Sequence, residues 1–204
     1  MRNRRSPPRS GLLKKELRKN KRPVSANKRA LARIEERKLI HVYSDLRKAG
    51  LNKTQISQLT SELRKMHLLI ILNPHNFGAA NTAKLVRGLG STEKALEFFK
   101  ALSGHSEVPT KVATICGVDK LIDFVNGCPS PEIAGNFFGL LGKGHDWKAD
   151  HFITYSGNGA NAGINAGAIV SKLRVENVVR QIMKCNDATE LSKLVNGWKQ
   201  SLSL

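Results

Sequence analysis

Residues 118–142 read VDKLIDFVNGCPSPEIAGNFFGLLG, and this stretch contains the signals that decide the fold. Apolar residues recur at helical spacing in two short runs, from Val118 to Asn126 and from Pro131 to Leu141. A glycine follows each run, and glycine commonly marks the end of a helix. Ser130 precedes Pro131, which is the favoured order of an N-cap and a first helical residue. The stretch therefore predicts two short α-helices joined by a tight connection.

The same alternation of short apolar runs with Gly, Ser or Asp continues on both sides of this stretch. It predicts further helices over Thr82 to Gly88, Thr92 to Ser103, Thr110 to Cys116, Ala168 to Lys184 and Ala188 to Gln200, with Ser91 and Asp187 as caps. The fold class is therefore mostly α, with a compact body of short helices. Five phenylalanines at helical apolar positions are expected in its core: Phe98, Phe99, Phe124, Phe137 and Phe138.

Two features qualify this all-helical pattern. Residues 152–155, Phe-Ile-Thr-Tyr, are β-prone and predict at most a small β element, followed by a Gly/Asn-rich loop over 156–167. The stretches 83–90 and 111–117 resemble each other, and each is followed by a helix of similar sequence. The two copies of that helix, at 94–99 and 120–125, are 26 residues apart. They suggest degenerate helical-hairpin repeats, although ordinary amphipathic hairpins would give a similar pattern.

The charge is concentrated at the start of the chain. The 204 residues carry a formal net charge of +18, yet residues 1–48 hold 17 Lys and Arg against four Asp and Glu. We expect a disordered basic arm over 1–24, a basic helical hairpin over 25–72 with Asn52 and Gln55 as a capping box, and the α-helical body over 78–204. The hairpin's second helix is predicted to run from Lys53 to Leu69.

A cluster of cations repels itself and is stabilised by a polyanion, because each neutralised phosphate releases a condensed counterion. DNA or RNA is therefore the expected partner. The residues expected to contact phosphates are Arg2, Arg4, Arg5, Arg9, Lys14, Lys15, Arg18, Lys19, Lys21, Arg22, Arg29, Arg33 and Arg37. Tyr43 is the best candidate for stacking on a base. A solubilising tail, a membrane-surface anchor and a nuclear-localisation patch are the alternatives for the arm.

Composition excludes two classes of protein. No apolar run approaches the length of a membrane-spanning helix, and three cysteines are too few for a disulfide scaffold. We expect no membrane partner and an intracellular protein, cytoplasmic or in the nucleoid or nucleus, with organellar targeting as an alternative. The sequence does not fix the oligomeric state.

Residues 44–59, SDLRKAGLNKTQISQL, resemble the first part of a helix-turn-helix. Ala49 and Gly50 supply the small residues that let two helices cross closely at the turn. A complete motif also needs a second turn and a recognition helix, whereas residues 60–63 continue the helical pattern where that turn belongs. An ordinary helical hairpin is therefore the simpler interpretation.

The densest polar cluster outside the arm is residues 145–151, HDWKADH. Asp146 and Asp150 are spaced for one helical face, and with His145 or His151 they could hold a metal ion that activates water for phosphodiester cleavage. The spacing matches no known metal signature, so a charged turn is the simpler interpretation. The loop 157–163 precedes a helix, as a phosphate-binding loop would, but lacks the following Lys-Ser/Thr pair. No cofactor is expected.

These observations favour a nucleic-acid-binding protein without catalysis, in a regulatory or accessory role. One alternative is a metal-dependent nuclease or toxin-like RNase that uses the cluster at residues 145–151. Another is a structural or assembly protein, such as a nucleocapsid or ribosome-associated factor, that uses its helical body to contact other proteins.

Overall fold

The computed structural model of the protein describes residues 40–63, 77–102, 107–142, 144–159 and 161–204. These residues form eleven helices and no strands, which confirms the predicted mostly-α fold. In chain order the helices are α1 (40–48), α2 (Lys53–Glu62), α3 (Gly78–Leu89), α4 (Thr92–Ala101), α5 (Glu107–Ile115), α6 (Val118–Gly127), α7 (Pro131–Leu141), α8 (Asp146–Tyr155), α9 (Asn161–Leu173), α10 (Val175–Lys184) and α11 (Ala188–Leu202). Val42–Leu204 form one compact unit.

Helices α3 to α11 of this unit stack as three-helix repeats. The six most extensive helix pairings each join a helix to the one three positions further along the chain: α3 to α6, α4 to α7, α5 to α8, α6 to α9, α7 to α10 and α8 to α11. Each repeat therefore contacts its neighbours through all three of its helices. A repeat of about 40 residues is usual for stacked helical arrays.

Polar contacts between helices follow the same period. Lys84 Nζ lies 2.7 Å from Asp119 Oδ2, and Gln58 Nε2 donates to Glu93 Oε1 at 2.8 Å. Lys100 Nζ lies 3.0 Å from Glu62 Oε2. The partners are 35, 35 and 38 positions apart, which is close to the length of one repeat. The first bond joins α3 to α6, and the other two join α2 to α4. Exposed ion pairs of this kind contribute at most about 1 kcal/mol, and most of the stability comes from the packed apolar faces.

Glycines allow the backbones of successive repeats to approach closely. A Cβ atom at Gly127 of α6 would lie 2.6 Å from the carbonyl oxygen of Ile164 in α9. Gly167 of α9 lies against the backbone of Gly127 in the same way. Gly163 of α9 likewise lies against the backbone of Lys120 and Phe124, so glycines on α9 allow it to pack closely on α6.

Phenylalanine rings form the centre of the core. All seven are buried, including the five that the sequence placed there. The rings of Phe98, Phe124, Phe137, Phe138 and Phe152 contact one another with centroids 5.2–6.1 Å apart, mostly edge to face, which is a favourable geometry for aromatic pairs.

The predicted caps are confirmed at four helices. Asn52 and Gln55 form the reciprocal capping box of α2. The side chains of Ser91, Ser130 and Asp187 each accept a hydrogen bond from the backbone amide three residues later. Each cap satisfies a backbone donor that would otherwise lack an intrahelical partner.

Several element boundaries in the structure differ from the predicted ones. The small β element expected at 152–155 is the last part of α8, because Ala149, Phe152 and Ile153 have helical spacing and are fully buried. The loop expected over 156–167 ends at residue 160, and α9 starts at Asn161. The helix expected from Ala168 to Lys184 is divided between α9 and α10 at Arg174, whose φ of 67° is incompatible with a right-handed helix.

The repeat also differs from the one the sequence suggested. Residues 83–90 lie in and just after α3, whereas residues 111–117 belong to α5 and the connection after it. These helices have different places in the three-helix repeat, so the separation of 26 residues is not the period of the array. Helix α2 ends at Glu62, with Leu63 extended (φ −82°, ψ 130°), instead of continuing to Leu69. The expected arm and the hairpin residues 25–39 and 64–72 lie outside the described residues.

Candidate functional site

The cations expected to contact phosphates all lie outside the described residues. This group comprises Arg2, Arg4, Arg5, Arg9, Lys14, Lys15, Arg18, Lys19, Lys21, Arg22, Arg29, Arg33 and Arg37. The candidate site that the structure does describe begins at Tyr43, six positions after the last of them.

A groove of about 840 Å³ lies between α1 and α2, and we call it the α1–α2 groove. The described residues that line it are Tyr43, Ser44, Arg47, Leu51, Asn52, Lys53, Ile56 and Ser57. Leu51 and Ile56 are buried and form an apolar floor. The side chains of Arg47 and Lys53 are exposed, so two cations stand at an apolar surface.

Tyr43 presents an aromatic ring at the same groove. The residue is 45% exposed, and its hydroxyl lies 2.8 Å from the Thr60 hydroxyl on α2. This hydrogen bond restricts the ring while leaving part of it open to solvent. A ring beside two cations is the combination that binds unpaired bases and their phosphates in single-stranded nucleic acid.

The turn between α1 and α2 is held by a side chain from α3. Gly50 has a φ of +93°, which favours glycine, and Arg87 Nη1 donates to the carbonyl of Ala49 at 2.9 Å. The two helices and this turn correspond to the stretch that resembles a helix-turn-helix. The helix continues through Thr60, Ser61 and Glu62, as expected, and ends with Leu63 as its C-cap. The residues that would form a third helix lie outside the described part of the chain.

The two aspartates of the alternative metal site have other partners. Asp146 and Asp150 do lie one turn apart on α8. Asp146 forms an ion pair with Lys111 of α5. Asp150 is buried and accepts a hydrogen bond from the Cys116 thiol. Both carboxylates thus join α8 to the preceding repeat.

The two histidines of the cluster lie in different surroundings. His145 is the N-cap residue of α8, and its side chain makes no capping hydrogen bond. His151 Nδ1 lies 2.7 Å from the Trp147 carbonyl, which can only accept, so Nδ1 carries the proton. Its ring contacts the rings of Trp147 and Tyr155 edge to face, with Asp150 Oδ2 3.7 Å from Nδ1. Within the described ranges, no group of three or more His, Cys, Asp or Glu could hold a metal ion.

All three cysteines are free, and their surroundings disfavour the thiolate. Burial, followed by the hydrogen bond to Asp150, raises the pKa of Cys116 to about 11. Burial alone raises the pKa of Cys128 to about 12, and burial is also the main cause of the raised pKa of Cys185. A thiol needs its thiolate to act as a nucleophile, so these cysteines are poorly suited to catalysis.

A second cleft, of about 460 Å³, lies between α6, α8 and α11, and we call it the α8–α11 cleft. Its described lining residues are Lys120, Thr154, Tyr155, Gly157, Asn158, Gly159, Ser192, Asn196 and Lys199. Lys199 Nζ donates to the carbonyl of Tyr155 at 2.9 Å. No sequence pattern predicted this cleft, because its residues meet only when the repeats stack. Lys148 was missed for the same reason: it is buried, and its ammonium group donates to the carbonyl of Met183 at 2.9 Å.

In the part of the chain that the structure describes, no helix is both long and apolar enough to cross a membrane. Comparisons with protein-family models, with curated proteins and with solved structures found no match.

Proposed function

We propose that the protein binds DNA or RNA through the phosphate backbone and has no catalytic activity of its own. The observation that carries the proposal is the uneven charge: 17 of the 34 Lys and Arg fall in residues 1–48, against only four of the 16 Asp and Glu. Such a density of cations is stabilised when a polyphosphate chain replaces its counterions. Phosphate contacts position the ligand and carry no sequence information, so we expect binding to many sequences.

The α1–α2 groove would extend this interface into the folded unit. Arg47 and Lys53 could each neutralise a phosphate, and Tyr43 could stack on an unpaired base. By contrast, Lys84 and Lys100 form ion pairs between helices, and the buried Lys148 has a backbone partner. Lysine side chains with such partners are less available for nucleic acid than those in the groove.

The free cysteines support an intracellular role for the protein, because thiols without disulfide partners persist in a reducing compartment.

Deletion of residues 1–22 tests the proposal. Fluorescence anisotropy should show that the full chain binds single-stranded DNA, duplex DNA and RNA in low salt. The deleted protein should bind each of them more weakly, by a similar factor for unrelated sequences. A matched control replaces residues 1–22 by a Gly/Ser segment of equal length, which keeps the chain length and removes the cations. Unchanged affinity in both variants would overturn the proposal.

A second candidate is an assembly protein that binds another protein through the helical array. The stacking of three-helix repeats favours it, because such arrays present long continuous surfaces to partners. The two candidates differ in what changes the mass of the particle in solution. If the protein's function is nucleic-acid binding, light scattering should show an increase in particle mass only when nucleic acid is added. Growth with protein concentration alone would favour the assembly protein.

A further inference from the structure

The α8–α11 cleft lies where the connections between repeats differ in length. Helices α5 and α6 are joined by Cys116 and Gly117 alone, whereas α8 and α9 are separated by residues 156–160. The longer connection contributes Gly157, Asn158 and Gly159 to the wall of the cleft. In repeat proteins, extra residues in one connection often form part of a binding face.

The side chains at this cleft favour an anion. Lys120 and Lys199 are both half-buried, and no acidic residue is among the described residues that line the cleft. One hydrogen of the Lys199 ammonium group is used by the Tyr155 carbonyl, which leaves two for a ligand. The remaining wall offers the hydroxyl of Ser192 and the amide of Asn196, whereas the Thr154 hydroxyl lies 3.4 Å from Cys116 Sγ.

Two carboxylates lie one helical turn from residues of the cleft, but they do not line it. Asp150 precedes Thr154 by one turn and accepts a hydrogen bond from Cys116. Asp123 is one turn after Lys120 on α6, and burial, followed by the charge of Asp119, raises its pKa. Neither carboxylate lines the cleft, so neither occupies the place of an anionic ligand.

We propose that the α8–α11 cleft binds the phosphate group of a phosphate monoester. Two ammonium groups match the charge of close to −2 that a monoester carries near neutral pH, and the Ser192 hydroxyl and the Asn196 amide can donate to its oxygens. A volume of about 460 Å³ is within the range of small-molecule sites and can hold a ligand the size of a mononucleotide. The monoester could belong to a free small molecule or to the phosphorylated end of a nucleic acid.

This proposal does not depend on nucleic-acid binding by the first 48 residues. Its test therefore needs a signal from the cleft itself. In the full ¹⁵N-labelled chain, the amide resonances of Gly157, Gly159, Ser192 and Asn196 supply that signal. The probes are inorganic phosphate, a nucleoside 5′-monophosphate, the parent nucleoside, and a hexanucleotide with and without a 5′-phosphate.

We expect the phosphorylated probes to shift these four resonances and the parent nucleoside to leave them unchanged. Lys120→Ala combined with Lys199→Met should weaken binding of the monophosphate roughly tenfold or more, because charged hydrogen bonds are lost. Lys193→Ala removes an exposed cation from the same helix outside the cleft and should bind normally. Lys120→Ala alone keeps the bond between Lys199 and Tyr155, so it provides a second variant should the double one unfold.

The two sources of the monoester give different results. A response to the mononucleotide alone indicates a free ester, and a response to the 5′-phosphorylated hexanucleotide as well indicates a nucleic-acid end. The proposal is overturned if no probe shifts the four resonances, if both cleft variants bind the mononucleotide like the wild type, or if the hexanucleotide without a 5′-phosphate shifts the four resonances as much as the phosphorylated one. Deletion of residues 1–22 should leave the response to the mononucleotide intact, which separates this proposal from the proposed function.

Discussion

Gly135 of α7 lies directly against the backbone of Phe98 in α4, and a Cβ atom at position 135 would be 2.5 Å from the Phe98 carbonyl oxygen. The Cβ atom of Ala101 would be 2.6 Å away. A backbone oxygen cannot rotate aside as a long side chain can. The contact therefore fixes how closely two successive repeats stack.

Replacing this glycine should destabilise the array. We expect Gly135→Ala to lower the free energy of unfolding by about 1–3 kcal/mol, the usual cost of adding a methyl group to a packed core. Gly197→Ala is the matched control, because it lies within α11 with no heavy atom within 4 Å of its Cβ position. That change should stabilise the protein by up to about 1 kcal/mol through helix propensity. Urea unfolding measures both, and equal effects would contradict the observed packing.

The cysteines predict a pH dependence. The folded protein raises the thiol pKa of Cys116 to about 11 and of Cys128 to about 12 from an ordinary value of 9.0. The thiols of the unfolded chain therefore ionise at a lower pH than those of the folded protein. The contribution of the protonated thiols to the free energy of unfolding is fully present below pH 9, and it is lost as the pH rises through the pKa values of the folded protein. Iodoacetamide at pH 8 should label the native protein much more slowly than the urea-unfolded chain. Equal rates would contradict the raised pKa values.

The α1–α2 groove predicts graded effects on nucleic-acid binding. Arg47→Ala and Lys53→Ala should each weaken binding and reduce the slope of log Kobs against log salt by about 1. Tyr43→Ala should weaken single-strand binding by about 1–3 kcal/mol, whereas Tyr43→Phe should retain it. Lys94→Ala is the control, because it removes an exposed cation from α4, outside the groove. If Lys94→Ala changed affinity as much as the groove variants, the groove would have no special role.

The cluster at 145–151 predicts an absence of hydrolysis. Asp146 and Asp150 are engaged by Lys111 and Cys116, so we expect no cleavage of RNA or DNA with or without Mg²⁺. Incubation of the full chain with labelled RNA and DNA measures this directly. Cleavage that Asp146→Ala or His151→Ala abolishes would instead establish the nuclease alternative. Asp146→Asn should still lower the unfolding midpoint slightly, because it removes the charge that pairs with Lys111.

Local signals predicted the elements that local interactions determine. Ser130 with Pro131 predicted the start of α7, and Gly142 predicted its end, because caps and glycine act within a few residues. The burial of the phenylalanines followed from helical spacing alone. The break at Arg174, whose φ is 67°, had no such signal, because neither Gly nor Pro lies near it in the sequence.

Features that depend on stacking could not be predicted from the sequence. The run 152–155 has the residue types of a strand, but packing against α5 and α11 places it in a helix. The partners of Asp150 and of Lys148 are 34 and 35 positions away, and only the repeat brings them together. The α8–α11 cleft arises in the same way, from three segments that are separate in the sequence.

The salt dependence of nucleic-acid binding tests the central claim most directly. We expect log Kobs for the full chain to fall steeply and linearly with log salt, because many cations in residues 1–48 release counterions from phosphates. Deletion of residues 1–22, or their Gly/Ser replacement, should flatten the slope for DNA and RNA alike. An unchanged slope in those variants, or a full chain that binds neither polymer in dilute buffer, would contradict the account.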